Sequence, residues 1–292
     1  MAERLEFDSH SPFELHQILT SQETTPEVKA YADLHLPEGE GPFGCVIAVN
    51  GSRGWSAHHL EHIDNWLASG LAVCQLRSFE SRGVESVVEN QLSVTHAMMM
   101  VDAFNVKELL DEDARIGRIG ITGWSLGGTV ATYAAWLPLV EKLGTPFEAH
   151  LPFYPATHMR PDVKTWSDAP MLILHGTGDD WTPIRFVEEL MPQIPNATLH
   201  EYPGAHHGFD SLEPKKWLPK AIRLGKRTVR IDAKGHMSGV WKFGIRVPLN
   251  KASQRRFALA ILRNRGAHVM GDATAREDAF DRANAFLLKH LS

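Results

Sequence analysis

"RIGITGWSLGGTVATYAAW", residues 118–136, sets four glycines and one serine between a short run of alternating isoleucines and a long run of small helix formers. Ile119 and Ile121 alternate as strand residues do. The segment from Gly128 to Leu137, rich in alanine and ending at Pro138, suits a helix with a defined stop. Gly123, Ser125 and Gly127 make the pattern G-x-S-x-G, in which a strained serine sits at a strand-to-helix turn and both glycines remove side chains that would collide there. Such a turn lifts the hydroxyl above a sheet and aims the first amides of the helix, including that of Leu126, at charge developing beside it. A glycine-rich turn with an idle serine has the same local pattern, so the decision rests on a base and an acid elsewhere.

The surrounding chain has 292 residues, 43% of them hydrophobic, enough for one large α/β domain or two small ones. A formal net charge of −5, without a block of basic residues at the scale of the chain, argues against nucleic acid as a partner. "MAERLEFDSHSPFELHQILT" (1–20) mixes acids and bases without an unbroken apolar run, so neither a secretory signal nor a membrane-spanning helix is expected, and no membrane partner. Cys45 and Cys74, in "CVIAV" and "LAVCQL", read as buried thiols of a protein in a reducing, cytoplasmic compartment.

Strand patterns and helix patterns alternate along the chain. "VKAYADLHL" (28–36), "FGCVIAV" (43–49) and "LAVCQLRS" (71–78) read as strands, with a helix in "SAHHLEHIDNWLASG" (56–70) whose Leu60, Ile63 and Leu67 share a face. A longer helical pattern covers about 86–111. "FEAHLPFY" (147–154), "PMLILHG" (170–176) and "ATLHEYP" (197–203) are further strands, a helix is expected near 184–192, and "TAREDAFDRANAFLLKHL" (274–291) is a closing amphipathic helix. The alternation implies βαβ units, hence a mostly parallel sheet covered on both faces, with ligands at the carboxyl ends of its strands. Ser125 is at such an end. Residues 211–270 break the rhythm: they are strongly basic, with a hairpin-like stretch at Lys234-Gly235 and a cationic helix at the end. They read as an insertion in a single domain spanning 1–292, either solvated or acting as a cap over the site, or docking a second copy as a homodimer.

A serine hydroxyl is scarcely ionised at neutral pH, so a nucleophilic one needs a histidine in reach and a carboxylate to orient it. In "LILHGTGDDWTP" (172–183) a strand runs into a glycine turn and two aspartates. The turn favours Asp179 as the acid, with Asp180 capping the helix expected near Pro183. In "HEYPGAHHGFD" (200–210) a strand leads through Pro203 and Gly204 to His207, the expected base, with His206 a polar neighbour. Serine, aspartate and histidine in that order, each after a strand, is the order expected of α/β-hydrolases. In "VIAVNGSRGW" (46–55), Gly51 and Gly54 let the backbone approach a ligand, and the Ser52 amide is placed to join that of Leu126 as an oxyanion donor.

The motifs "LPEGEGPFGCVIAVNG", "RIGITGWSLGG", "LILHGTGDDWTP" and "YPGAHHGF", occurring in that order, resemble those of the α/β-hydrolase superfamily and in particular the dienelactone hydrolase family. The resemblance covers most of 28–210 and the C-terminal helix. It implies an α/β-hydrolase fold with a mostly parallel central sheet flanked by helices, the acid at Asp179 and the base at His207. Two departures stand out. Family members that open dienelactones typically carry a cysteine nucleophile where this chain has Ser125, which points to ester hydrolysis, and Asn50 replaces the histidine of the early turn.

The expected function is that of a serine esterase: hydrolysis of a carboxylic ester or lactone through an acyl-enzyme, with no metal or cofactor. The rivals are a non-catalytic ligand-binding relative of the same fold and a prolyl-oligopeptidase-like peptidase, for which no long N-terminal propeller region is present. The cluster "HHLEH" puts His58 and His62 one helical turn apart, as metal ligands are, but reads better as a solvent-facing helix surface than as a metal site. Trp55, Trp124 and Trp181 stand beside the functional loops, as pocket walls or as core.

Overall fold

The computed structural model describes residues 2–223, 225–240, 244–262 and 265–292. The chain opens with strand β1 (Glu3–His10), helix α1 (Leu15–Ser21) and strand β2 (Glu27–His35). Three strand-helix units follow: β3 (Phe43–Val49) with α2 (Ala57–Ala68), β4 (Ala72–Leu76) with α3 (His96–Asp111), and β5 (Ile116–Trp124) with α4 (Leu126–Tyr133). After α5 (Leu137–Leu143) come β6 (His150–Phe153), the short β7 (Met159–Pro161), β8 (Met171–Gly176), α6 (Arg185–Leu190) and β9 (Ala197–Tyr202).

Among the described residues the main sheet has eight strands in the order β1-β2-β4-β3-β5-β6-β8-β9. Every pairing from β4 to β9 is parallel, while β1 and β2 run antiparallel to their neighbours. This is the mostly parallel sheet that the alternation of patterns implies, in the α/β-hydrolase architecture that the family resemblance implies. Because successive strand side chains face opposite ways, Cys45, Ile47 and Val49 of β3 pack on one face with residues of α1, α3 and α4. Val46 and Ala48 pack on the other face with Ile63 and Trp66 of α2. Both faces are covered, which is why these strands read as continuous apolar runs.

Two helix boundaries differ from expectation. The helix of 86–111 begins only at His96, because Thr95 caps it by accepting the Met98 amide, and Gln91 at φ 52 cannot belong to a helix. Pro138 does not stop the helix after Ser125. That helix ends at Tyr133, and Pro138 sits in the first turn of α5, where its missing N–H costs nothing. β1 and α1 lie in a stretch whose mixed charges gave no periodic signal.

The basic segment is folded. β10 (Lys216–Ile222) pairs antiparallel with β14 (Arg265–Val269), and between them lie β11 (Val229–Ile231), β12 (Met237–Val240), β13 (Arg246–Pro248) and α7 (Ala252–Leu262). β11 and β12 form the expected hairpin, its turn held by Asp232 Oδ1, which accepts the amides of Lys234 and His236 at 2.9 Å each. β11 also pairs in parallel with β7, which ties the insertion to the body. Positions 224, 241–243, 263 and 264 of the expected insertion lie outside the described residues. Helix α8 (Ala273–Leu291) closes the chain, burying Ala279, Ala283 and Leu287 in the α2-side core. Among the described residues no helix is long and apolar enough to cross a membrane.

Candidate active site

Ser125 stands between β5 and α4 at φ 55 and ψ −106, a conformation costing a non-glycine residue about 1–3 kcal/mol. The turn is held by the Ser125 amide donating to the Phe153 carbonyl at 3.0 Å and by Thr129 N–H donating to the Ser125 carbonyl at 2.8 Å. The flanking glycines are sterically required. A Cβ at Gly127 would lie 2.1 Å from the Val49 carbonyl oxygen, and one at Gly123 would lie 2.5 Å from the Gly127 carbonyl.

His207 follows β9, and its Nε2 lies 2.9 Å from Ser125 Oγ. Its Nδ1 lies 2.7 Å from Asp179 Oδ2, in the loop after β8. Ser125, Asp179 and His207 are 8%, 5% and 4% exposed, so this chain of hydrogen bonds is shielded from competing water. The carboxylate on Nδ1 places the ring proton there and leaves Nε2 as an acceptor for the serine. Burial alone would raise the Asp179 pKa, but the facing His207, through its charge and its hydrogen bond, holds it below the ordinary value.

Asp179 is fixed on its other side by a turn that sequence reading overlooked. Its Oδ1 accepts the amides of Trp181 and Thr182 at 2.8 and 2.9 Å, and the Thr182 hydroxyl donates to Oδ2 at 2.9 Å. The spacing Asp-x-x-Thr in "DDWT" is the signal for it. Asp180 does not cap α6, whose N-cap is Ile184. It accepts the backbone amide of His268 at 2.8 Å and pairs with that ring at 2.9 Å, because its side chain points away toward β14. His206 points outward and pairs with Lys215 Nζ at 3.2 Å.

Ser52 and Leu126 flank Ser125 from two elements. Gly51 brings the first loop so close that a Cβ there would sit 3.7 Å from that of Ser125. Leu126 opens α4, and no acceptor among the described residues takes its amide hydrogen or that of Ser52. Two free donors beside the hydroxyl suit a developing oxyanion.

A second buried acid, Asp210, was not foreseen. It accepts from Trp124 Nε1 and the Tyr154 hydroxyl, both at 2.9 Å, and lies 3.2 Å from His62 Nε2. Burial would raise its pKa, but the charge of His58 and the His62 hydrogen bond hold it below the ordinary carboxylate range. The "HHLEH" face is therefore not solvent-facing: His58, His59 and His62 are buried, His62 stacks on Phe280 at 3.6 Å, and Leu60 of the expected apolar face is exposed. The buried stripe is His59, His62, Ile63 and Trp66, at helical spacing. Tyr154 and Trp181 each lie 4.7 Å, ring to ring, from His207 and hold it between them.

A model of the dienelactone hydrolase family matches residues 80–228, a segment that contains Ser125, Asp179 and His207. The chain belongs to the dienelactone hydrolase family. It is thus a hydrolase of the α/β type. Among solved structures, one from Klebsiella pneumoniae subsp. pneumoniae, provisionally named a dienelactone hydrolase, shares 16% identity at a TM-score of 0.57, over 98% of this chain and 99% of that one. Est1E from Butyrivibrio proteoclasticus, solved with ferulic acid bound, shares 16% identity at a TM-score of 0.50, over 62% of this chain and 88% of that one. At such identities the likeness shows a shared fold. No curated protein sequence matches the chain.

In this family member Ser125 opens onto a cavity of about 160 Å³. Its floor comes from the body, with Leu126, Ala156 and Phe186, and its roof from the insertion, with Val229, Met237 and Leu249. The basic segment is thus a wall of the cavity: Val229, Met237 and Leu249 turn inward beside Arg223 and Arg255, while Trp217, Ile245 and Phe257 are exposed. Trp181 lines this cavity, whereas Trp124 is wholly buried in the core and Trp55 packs partly against it.

Proposed function

We propose that this protein is a serine hydrolase that cleaves a carboxylic ester or lactone through an acyl-enzyme, with Ser125 as nucleophile, His207 as base and Asp179 as its orienting acid. The observation that carries this reading is the continuous run of hydrogen bonds from Asp179 to His207 to Ser125, at 2.7 and 2.9 Å. In acylation Ser125 Oγ attacks the carbonyl carbon and its proton passes to His207 Nε2. The Ser52 and Leu126 amides receive the oxyanion, the ester C–O bond breaks, and His207 returns the proton to the departing alkoxide. Water then adds to the acyl carbon, giving a proton to His207; the bond to Ser125 Oγ breaks, His207 returns the proton to Oγ, and the free acid leaves. The electron count closes with water as the sole co-reactant, so the scheme needs no metal or cofactor. Residues 211–270 act as a cap over the site, and the free, buried thiols Cys45 and Cys74 suit a cytoplasmic setting.

Treatment with a fluorophosphonate, followed by mass spectrometry, is expected to place one adduct on Ser125 and to abolish hydrolysis of p-nitrophenyl butyrate. Folded protein that takes no adduct at Ser125 would instead support a non-catalytic ligand-binding role.

A further inference from the structure

Ser125 lies at the junction of two unequal cavities, and Ser52, Ser125 and Trp181 line both. The larger, about 160 Å³, is walled mainly by apolar side chains from the body and the insertion. The smaller, about 40 Å³, is lined by Arg53, His58, His59 and Tyr154 together with Trp124, Trp181 and Val269. His207 lines the small cavity and is absent from the walls of the large one. At the small cavity's edge, Arg53 and Glu213 form a two-pronged ion pair at 2.8 and 2.9 Å, each about one-third exposed, so the pair spans the solvent side.

We infer that the substrates are esters joining an apolar, benzene-sized acyl group to a compact alcohol, the acyl group occupying the large cavity and the alcohol the small one. This assignment rests on the reading of Ser125 as nucleophile and His207 as its base. The acid that protonates the leaving oxygen must stand on the leaving-group side of the tetrahedral centre, and so must the base that admits water. His207 meets only the small cavity, so the leaving alcohol goes there and the acyl group goes to the other side. Size follows from volume. A cavity of roughly 150 Å³ lined by apolar side chains takes a benzene ring, so the large one suits a benzoyl group or a chain of about six to eight carbons. The small one, a quarter of that volume, fits an alcohol on the order of two to four heavy atoms. Glu213 and Arg53 then act as specificity-determining residues that cap the length of the alcohol.

The test is a two-way ester series followed by pH-stat titration, run beside fluorophosphonate labelling of the same preparation. Methyl acetate, hexanoate, benzoate and palmitate vary the acyl side; methyl, ethyl, butyl and benzyl hexanoates vary the alcohol. Expected are a maximum of kcat/KM at hexanoate or benzoate and a fall of at least tenfold from ethyl to benzyl hexanoate. Glu213→Ala should narrow the ethyl-to-benzyl ratio. Ala258→Trp, in the wall of the large cavity, should lower the hexanoate-to-acetate ratio. These ratios are internal to each variant and do not depend on how much of it folds. Labelling at Ser125 together with no hydrolysis in the series, or with a reversed preference, would overturn the cavity assignment while leaving the nucleophile in place. Absence of labelling overturns both.

Discussion

Replacing Asp179 by asparagine tests the orientation of His207 with little disturbance of the fold. Both amides that meet Asp179 Oδ1, from Trp181 and Thr182, are donors, so the asparagine must keep its oxygen there. Its NH2 group then occupies the Oδ2 position and faces His207 Nδ1 across 2.7 Å. Two donors cannot share that contact, so the ring proton moves to Nε2, the atom that must accept the Ser125 proton. The base is disabled by tautomer alone, for which a loss of about 10³- to 10⁴-fold in kcat is expected, or roughly 4–5.5 kcal/mol of barrier. Stability should change by no more than about 2 kcal/mol, since the Thr182 hydroxyl can turn to the Tyr154 carbonyl at 3.1 Å and every buried amide keeps an acceptor. The assay is turnover of p-nitrophenyl butyrate beside a thermal melt. A folded variant within tenfold of the parent would refute the claim that Asp179 sets the His207 tautomer. Asp180→Asn, which touches His268 and not the base, should stay within about threefold.

His207→Ala should remove nearly all ester turnover, whereas His206→Ala, which loses only a surface contact with Lys215, should alter it little; equal losses in steady-state assays would count against His207 as the base. Gly127→Ala forces a Cβ to within 2.1 Å of the Val49 carbonyl oxygen and should cost about 3 kcal/mol or more, while Gly117→Ala, whose nearest neighbour is 3.5 Å away, should shift urea midpoints only slightly. Burial pushes the wholly buried His150 down to about 4, so it binds a proton on unfolding and its contribution is fully present above pH 6.5 and lost as pH falls toward 4. Urea titrations should therefore show about 2 kcal/mol less stability from this residue at pH 5 than at pH 7, and His150→Gln should flatten that slope by up to one proton.

The sequence carried the parts of the site that obey one-dimensional rules. Ser125, Asp179 and His207 each follow a strand, and the glycines beside Ser125 are spaced as the close approach to Val49 demands. Thr182 was legible too, in the spacing of "DDWT". Asp210 was not, because its role exists only where α2, β5, β6 and the loop after β9 converge on one carboxylate. The histidines of α2 misled for a related reason: His59, His62, Ile63 and Trp66 have the spacing of a buried stripe, but polar residue types hid it. In the insertion the strands β11, β12 and β13 have only three or four residues each, too few for a period to show, and their apolar residues stand singly among cations.

The insertion is not a detachable roof. The segment returning from it, 267–272, grips the histidine loop: Met270 N–H donates to the His207 carbonyl at 3.1 Å, and Asp272 N–H to that of Phe209 at 2.9 Å. Two residues before Met270, the His268 amide is held by Asp180, next to Asp179. Arg276, at the start of α8, donates to the Asp210 carbonyl at 2.7 Å. The loops bearing Asp179 and His207 are thus fastened to each other and to the strand that leaves the cavity roof. Val269 of that strand lines the small cavity beside His207, so a shift of the strand moves that wall and the imidazole together.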